Sequence, residues 1–263
     1  MAIDIDLTDH VVLVTGGVRG VGAGISRVFL AAGATVVACA RRPPESPITV
    51  DGRTVEYLAA DVRDPESVRA LIDSIVERHG RLDHLVNNAG GAPFALAADA
   101  SPSFHSKIVA LNLLAPLQLA QAAQAVMRDQ QGGGTITSIT SVSGVRPSPG
   151  TAAYGAAKAG VDSMTTSLAV EWAPKVRVNS IVAGPVETEL SELHYGNADG
   201  VAAVGRTIPM GRLARPEDIG RCAVFLASPL AGFITGTALL VHGGGELPAF
   251  LGAATTEHHE QLS

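Results

Sequence analysis

The chain has 263 residues, enough for a large buried core, and carries 19 basic and 25 acidic side chains for a net charge of −6. The basic residues are scattered rather than clustered, which excludes a nucleic-acid groove or an anionic membrane as the natural partner and favours a small neutral or anionic substrate. Cys39 and Cys222 both lie in apolar runs with no Cys or His at ligand spacing, so buried thiols are expected in a reducing compartment, with no disulfide and no metal.

Met1 to Asp9 is acidic and lacks the basic-then-apolar pattern of a signal peptide. The longest apolar stretch, Val28 to Ala40, is broken by Gly33 and Thr35 and is too short to span a bilayer, so a cytoplasmic, soluble protein is expected. Val11 to Val14 is the first predicted strand. It feeds Thr15-Gly16-Gly17-Val18-Arg19-Gly20-Val21-Gly22 and then a helix over Gly22 to Ala32 that Gly33 should stop. The second strand, Thr35 to Cys39, is followed by a loop over Arg42 to Arg53 with Pro43, Pro44 and Pro47 and a small turn at Asp51-Gly52. Val55 to Ala59 is the third strand, and Asp64 with Pro65 reads as an N-cap and first position of a helix to His79.

Further strands are predicted at Leu85 to Asn87, Thr135 to Ile139, Val176 to Ile181 and Ala238 to Val241, and further helices at Ser103 to Arg128, Thr151 to Trp172 and Pro216 to Ala227. The strands are apolar on both faces, as in a parallel sheet covered by helices. The alternation predicts a single-domain, Rossmann-type three-layer α/β/α sandwich over residues 1–263, with a doubly wound, mostly seven-stranded parallel sheet and right-handed crossovers. The tail over 247–263 ends in polar residues, including His258 and His259, that read as a solvated end rather than a metal site.

Three features carry chemistry. Glycines at 16, 20 and 22 let a backbone approach a pyrophosphate whose charge meets a helix N-terminus, although a tight strand-to-helix turn without a ligand would use them too. At the end of the second strand, where a free ribose 2′-hydroxyl calls for an acid, stands Ala40, followed by Arg41 and Arg42. Arg41, helped by Arg19, can clamp a 2′-phosphate, so NADP(H) is preferred over NAD(H). Tyr154 and Lys158, at i and i+4, share a helix face with Ser141 upstream, so the ammonium can sit under the phenol and pull its pKa down.

Thr15 to Gly22, Asn87-Asn88-Ala89-Gly90, Asn112, Ser141 and Tyr154-x-x-x-Lys158 together resemble the classical short-chain dehydrogenase/reductase family, from about Leu7 to Gly245. The resemblance implies a cofactor site of Gly16, Arg19, Gly20, Val21, Arg41, Arg42, Asp61, Val62, Asn88, Gly90, Tyr154, Lys158, Val186 and Thr188, with Asp61 and Val62 at the adenine. Asn88 and Gly90 would border the adenosine ribose, and Val186 and Thr188 would hold the nicotinamide. It further implies that Asn112 bends its helix and seats a water relaying protons to Lys158. Two positions depart from the family's pattern: Ala183 replaces a usual proline, and His242 stands where an aspartate commonly precedes the last Gly-Gly.

The reaction expected is hydride transfer between nicotinamide and a ketone or secondary alcohol (EC 1.1.1.-), with Tyr154 as acid or base and Ser141 polarising the carbonyl. A reductase of 3-oxoacyl thioesters of carrier protein or coenzyme A would use the same site. A non-catalytic dinucleotide-binding sensor is the rival from another class, and a serine hydrolase is disfavoured because Ser141 is not in a G-x-S-x-G elbow. Pro93, Phe94, Val142, Val145, Pro147 and Pro149 would line a largely apolar mouth under a mobile lid at about 190–209 that carries Leu193 and Tyr195, and Arg146 and Arg212 are candidate anchors for an acidic group. Leu111, Leu113, Leu114, Leu117 and Leu119 cannot all face one sheet. The helices around them and Thr151 to Trp172 are therefore expected to form the interface of a homodimer or homotetramer.

Overall fold

The computed structural model describes residues 5–253. Strand β1 (Val11–Thr15) is buried throughout, with Val11 and Leu13 in one hydrophobic cluster and Val12 and Val14 in another. That is the period-two alternation of a strand with helices over both faces. Helix α1 (Gly20–Ala31) follows, and the chain turns at Gly33, whose φ of +94° only glycine adopts without strain. After β2 (Thr35–Ala40) comes a hairpin of β3 (Thr49–Val50) and β4 (Arg53–Thr54), closed by Asp51 and Gly52 at φ 49° and 77°. The turn expected there is thus a two-residue loop with both central residues left-handed.

Strand β5 (Glu56–Ala59) precedes α2 (Pro65–His79), where Asp64 accepts a hydrogen bond from the Glu66 N–H at 3.1 Å as the cap and Pro65 takes the first turn. Beyond β6 (His84–Asn87), the single long helix expected is in fact α3 (Pro102–Val109), a wide π turn at Ala110–Leu114, and α4 (Ala115–Met127). Taken together, Pro102–Met127 has the length and hydropathy to cross a bilayer, but Ala115, Leu119, Ala120, Ala123 and Met127 are packed into the core. The remaining elements are β7 (Gly134–Ser141), α5 (Ala152–Trp172), β8 (Val176–Ala183), α6 (Ser191–Tyr195), α7 (Ala198–Arg206), α8 (Pro216–Ala227), β9 (Ala238–Val241) and α9 (Ala249–Ala253).

Seven strands form one parallel sheet in the order β5-β2-β1-β6-β7-β8-β9, so every strand expected from the sequence is present. Helices α2, α4 and α5 cover one face through Leu71, Ile75, Leu119, Ala123 and Leu168, and α1 and α8 cover the other through Ile25, Phe29, Ile219 and Ala223. Helices α1 and α8 cross closely because glycines meet there: a Cβ on Gly220 would lie 2.8 Å from Val28 Cγ2, and one on Gly24 would collide with Pro216. The chain leaves β1 toward β2 on one side and reaches β6 on the other. The crevice beyond the carboxyl ends of β1 and β6 is where doubly wound sheets receive ligands.

The leucines that could not all face one sheet are largely absorbed within the chain. Leu119 is in the core, Leu111 and Leu117 pack against it, and Leu113 lies over Gly160 of α5, which leaves Leu114 facing outward with Val170. His258 and His259 lie outside the described residues.

Candidate active site

Helix α1 opens with no side chain capping its first turn and no acidic residue there: Arg19 takes the cap position without a side-chain hydrogen bond. The first-turn N–H groups are left for an anion, which is what a phosphate cradle needs. The glycine turn is packed to its limit. A Cβ on Gly16, at φ +64°, would sit 3.2 Å from Ala89 Cα, and one on Gly22 would collide with the Gly16 carbonyl. The hub holding the turn is Thr15, a residue that sequence reasoning left without a role. Its buried Oγ1 accepts from the Asn88 and Ala89 N–H groups, both at 3.0 Å, and Asn88 Nδ2 donates to the Thr15 carbonyl at 2.9 Å. The Asn88 amide therefore ties the loop after β6 to the glycine turn.

Beyond β2 and β5 the arginines divide. Arg19, Arg41 and Arg42 are exposed and, among the described residues, make no ion pair. Arg63, by contrast, forks onto Asp61, with Nε at 2.9 Å from Oδ1 and the second nitrogen at 2.6 Å from Oδ2. That fork, against some burial and with help from the Arg41 charge, holds the Asp61 carboxyl down at about 2. The Val62 side chain is turned into the core beside Ala60, Val68 and Leu71, so Val62 can face the crevice only through its backbone.

The four candidate catalytic residues converge from three elements. Ser141 ends β7, Tyr154 and Lys158 lie on the first turns of α5, and Asn112 sits in the π turn. Asn112 is fully buried: its Oδ1 accepts from the Gly91 N–H at 2.9 Å, and Nδ2 donates to the Gly91 and Ile108 carbonyls at 3.0 and 2.9 Å. The extra residue of the wide turn frees the Ile108 carbonyl to take that bond. A Cβ on Gly90 would lie 2.7 Å from Asn112 Oδ1 and 3.3 Å from Lys158 Nζ, so only a glycine lets these two groups share one corner. Lys158 Nζ donates to the Ile139 carbonyl at 2.8 Å and lies 5.6 Å from the centre of the Tyr154 ring.

The electrostatics differ from the sequence expectation in sign. Burial pushes the Tyr154 phenol up from its usual value, and only the Ser141 hydroxyl pulls it back. Lys158 was expected to lower that pKa, but its own ammonium is lowered by burial to about 8, opposed by the charge of Asp162. The phenol is therefore protonated near neutral pH, and the ammonium gives up its proton at a lower pH than a solvated lysine would.

The segment after β7 helps line a cavity of about 180 Å³, formed by Val142, Val145, Arg146, Pro185, His242, Gly245 and Glu246. Pro147 and Pro149 line a neighbouring groove instead, Phe94 packs over Gly150, and Leu193 is exposed. The mouth is largely apolar, as expected, with one ion pair at its edge, where Arg146 donates to Glu246 Oε1 at 2.6 Å. Arg212 is likewise paired, with Asp218 at 2.7 Å. The expected lid is α6 and α7. Its Tyr195 is half-buried, its phenol pushed up by burial and then acted on in opposite senses by Arg146 and Glu246. Val186 bridges to Ala214, while Thr188 Oγ1 accepts from the Leu190 N–H at 3.2 Å and its Cγ2 faces Gly20 of the glycine turn. Glu246 stands 100 residues from Arg146, a separation at which no local sequence pattern could announce the pair.

Residues 16–246 match the family model described as enoyl-(acyl carrier protein) reductase. The chain is similar to the L-fucose dehydrogenase of Bos taurus, 37% identical over 260 residues that cover 94% of this chain and 93% of that one. It is also similar to the 3-oxoacyl-(acyl-carrier-protein) reductase FabG of Vibrio cholerae, 35% identical over 243 residues that cover 91% and 98%. The ligand-free structure of the Thermoplasma acidophilum aldohexose dehydrogenase superposes with a TM-score of 0.85 at 30% identity, covering 92% of this chain and 96% of that one. With its parallel sheet, uncapped glycine turn and Ser–Tyr–Lys corner, the chain belongs to the classical short-chain dehydrogenase/reductase family of nicotinamide-dependent oxidoreductases.

Proposed function

We propose that the protein is an NADP(H)-dependent oxidoreductase that interconverts a ketone and its secondary alcohol, with Ser141, Tyr154, Lys158 and Asn112 as its catalytic residues. The observation that carries this reading is the corner where Lys158 Nζ, Asn112 Oδ1 and the Gly90 backbone meet beside the Tyr154 ring. Bound nicotinamide would supply or accept the hydride. Gly16, Gly20 and Val21 would cradle the pyrophosphate at the open end of α1, with Gly90, Asn88, Asp61 and Val62 along the adenosine half and Val186 and Thr188 toward the nicotinamide. Ala40 at the end of β2, and three arginines at 19, 41 and 42 that are exposed and outside the ion pairs of the described residues, support a 2′-phosphate there.

In the direction of reduction, Ser141 donates a hydrogen bond to the carbonyl oxygen and Tyr154 gives up its phenolic proton as negative charge gathers on that oxygen. Burial, which keeps the phenol protonated, suits it to this role. Lys158 then faces the phenolate left behind. In the reverse direction the Tyr154 phenolate would take the proton of the alcohol hydroxyl, while the hydride, a hydrogen with two electrons, would leave the alcohol carbon for the bound cofactor. Asn112 holds the wide turn that brings this corner together.

The 3-oxoacyl-thioester alternative rests on the likeness to the Vibrio cholerae reductase and on the matched family model. A panel of ketones, alcohols and oxoacyl thioesters, assayed by nicotinamide absorbance with both cofactors, tests the assignment. Turnover of free carbonyls with NADPH above NADH is expected. Turnover of thioesters alone would favour the alternative, equal use of NADH would defeat the role given to Arg41, Arg42 and Arg19, and cofactor binding with no turnover of any compound would mark a sensor. We further take the protein to be a cytoplasmic homodimer or homotetramer, joined through the outer side of α4, the π turn before it and α5, where Leu114 and Val170 are exposed.

A further inference from the structure

We propose that Asp162 is a positioning residue of the Ser–Tyr–Lys corner: a carboxylate fixed to β8 that keeps the Lys158 ammonium charged and so sets the pH range over which the protein reduces its substrate. The proposal rests on the carbonyl–alcohol redox reading above and adds a residue to that same site.

Asp162 stands four residues after Lys158 on α5, as Lys158 stands four after Tyr154, so the three side chains follow one another along the helix. Helical side chains lean toward the N-terminus, which aims the carboxylate back at the turn that carries Lys158. The strands beneath hold both groups. Lys158 Nζ donates to the Ile139 carbonyl of β7 at 2.8 Å, and Ser180 Oγ of β8 donates to Asp162 Oδ1 at 2.7 Å. The two anchors are neighbours in the sheet, because Ile139 pairs with Ile181 and Ser138 with Ser180.

The charge of Asp162 is otherwise uncommitted. It joins no ion pair among the described residues, and its Oδ2, shielded from solvent, has no hydrogen-bond partner among them. A shielded carboxylate oxygen without a partner is costly unless a cation lies near, and Lys158 is buried one turn away. The packed elements bring no rival at that position. Strand β7, the turn at Val142–Gly144 and the π turn are free of charged side chains. Arg177 of β8 lies on the opposite face of the sheet from Ser180 and donates to the Ile234, Ala227 and Ser228 carbonyls. Helix α3 carries a half-buried His105 and an exposed Lys107. In keeping with this placement, the Asp162 charge is what opposes the burial of the Lys158 ammonium.

The test follows the Lys158 side chain directly. The chain has three lysines, and Lys107 and Lys175 are exposed, so lysine enriched with 13C at Cε gives one buried signal whose NMR shift reports the charge on Lys158 as pH is raised. In Asp162→Asn, which keeps an acceptor for Ser180 but no charge, its midpoint should fall by about one pH unit, the lower end of what one nearby opposite charge does. Asp162→Ala should do the same, and serves if the buried amide of the asparagine variant prevents folding. Asp162→Glu, which keeps the charge, should recover most of the difference. The kcat/KM of ketone reduction should follow, about fivefold below wild type near pH 8 in the asparagine variant, with the deficit shrinking toward lower pH. A midpoint unmoved in both neutral variants, or a loss of rate equal at every pH, would overturn the inference. A midpoint that moves in a protein turning over no carbonyl or alcohol would support the Asp162–Lys158 coupling and overturn the redox reading instead.

Discussion

A lysine amine in the core is costly to keep charged, and Lys158 shows the cost: burial brings it to about 8 although Asp162 works against the shift. Tyr154 is shifted in the other direction by the same cause. Reduction needs the phenol and the ammonium both protonated, so its rate should fall as pH climbs past about 8. Oxidation needs the phenolate, which burial holds above the usual tyrosine range, so it should rise only at higher pH than that. Initial rates in both directions check this, and parallel profiles would contradict it. At the adenosine end, Arg41→Ala should weaken NADPH binding by about 10- to 100-fold, measured by nicotinamide fluorescence, with little change for NADH. Equal losses for both cofactors would remove Arg41 from the 2′-phosphate. At this scale the sequence was readable in identity and not in sign. The four-residue spacing of Tyr154 and Lys158 announces a shared face, but whether charge or burial dominates depends on β7 and the loop after β6 packing over them, which spacing does not encode.

Helices and turns were legible where one residue decides the geometry. Asp64 and Pro65 start α2, Gly33 follows α1, and Asp51 with Gly52 makes the hairpin, each because side-chain or backbone chemistry acts locally. The π turn at Ala110–Leu114 was less visible, since its cause is the Asn112 side chain bonding to Gly91, 21 residues earlier. The short α6 holds five residues, too few for a periodic signal, and was foreseen only as part of a lid. The crossing of α1 and α8 gives a prediction at this scale. Gly220→Val adds branches where even a Cβ would lie 2.8 Å from Val28, and should destabilise by about 1–3 kcal/mol, read as a lowered urea midpoint. An unchanged midpoint would mean that the two helices move apart freely.

For the molecule as a whole, the sheet was the most legible feature, because short runs rich in β-branched residues alternate with longer helical patterns along the chain. A buried histidine at the amino end of β6 links stability to pH. His84 is 3% exposed, shares a 2.8 Å hydrogen bond with His10 and meets Thr135 at 2.7 Å. Burial, then the neighbouring His10, pushes its pKa from 6.5 down to about 3, with Asp83 opposing and Arg177 and Arg81 adding to the shift. As pH falls through that range the unfolded chain takes up a proton that the folded one refuses, so stability should fall. Replacement by glutamine should flatten the dependence, and urea midpoints across the range check it; an equal slope in the variant would contradict it. Assembly was the least legible property, since four of the five leucines that suggested an interface are taken up inside the chain. Light scattering at micromolar concentration should still report a dimer or tetramer, and a monomer would contradict the interface assigned to α4 and α5.

The claim on which the rest depends is that Tyr154 passes the proton while the cofactor site is built independently of it. The direct measurement is Tyr154→Phe, assayed for both turnover and NADPH affinity. A fall in kcat of about 10²- to 10⁴-fold with the dissociation constant nearly unchanged is predicted. A variant that turns over at close to the wild-type rate would contradict the account.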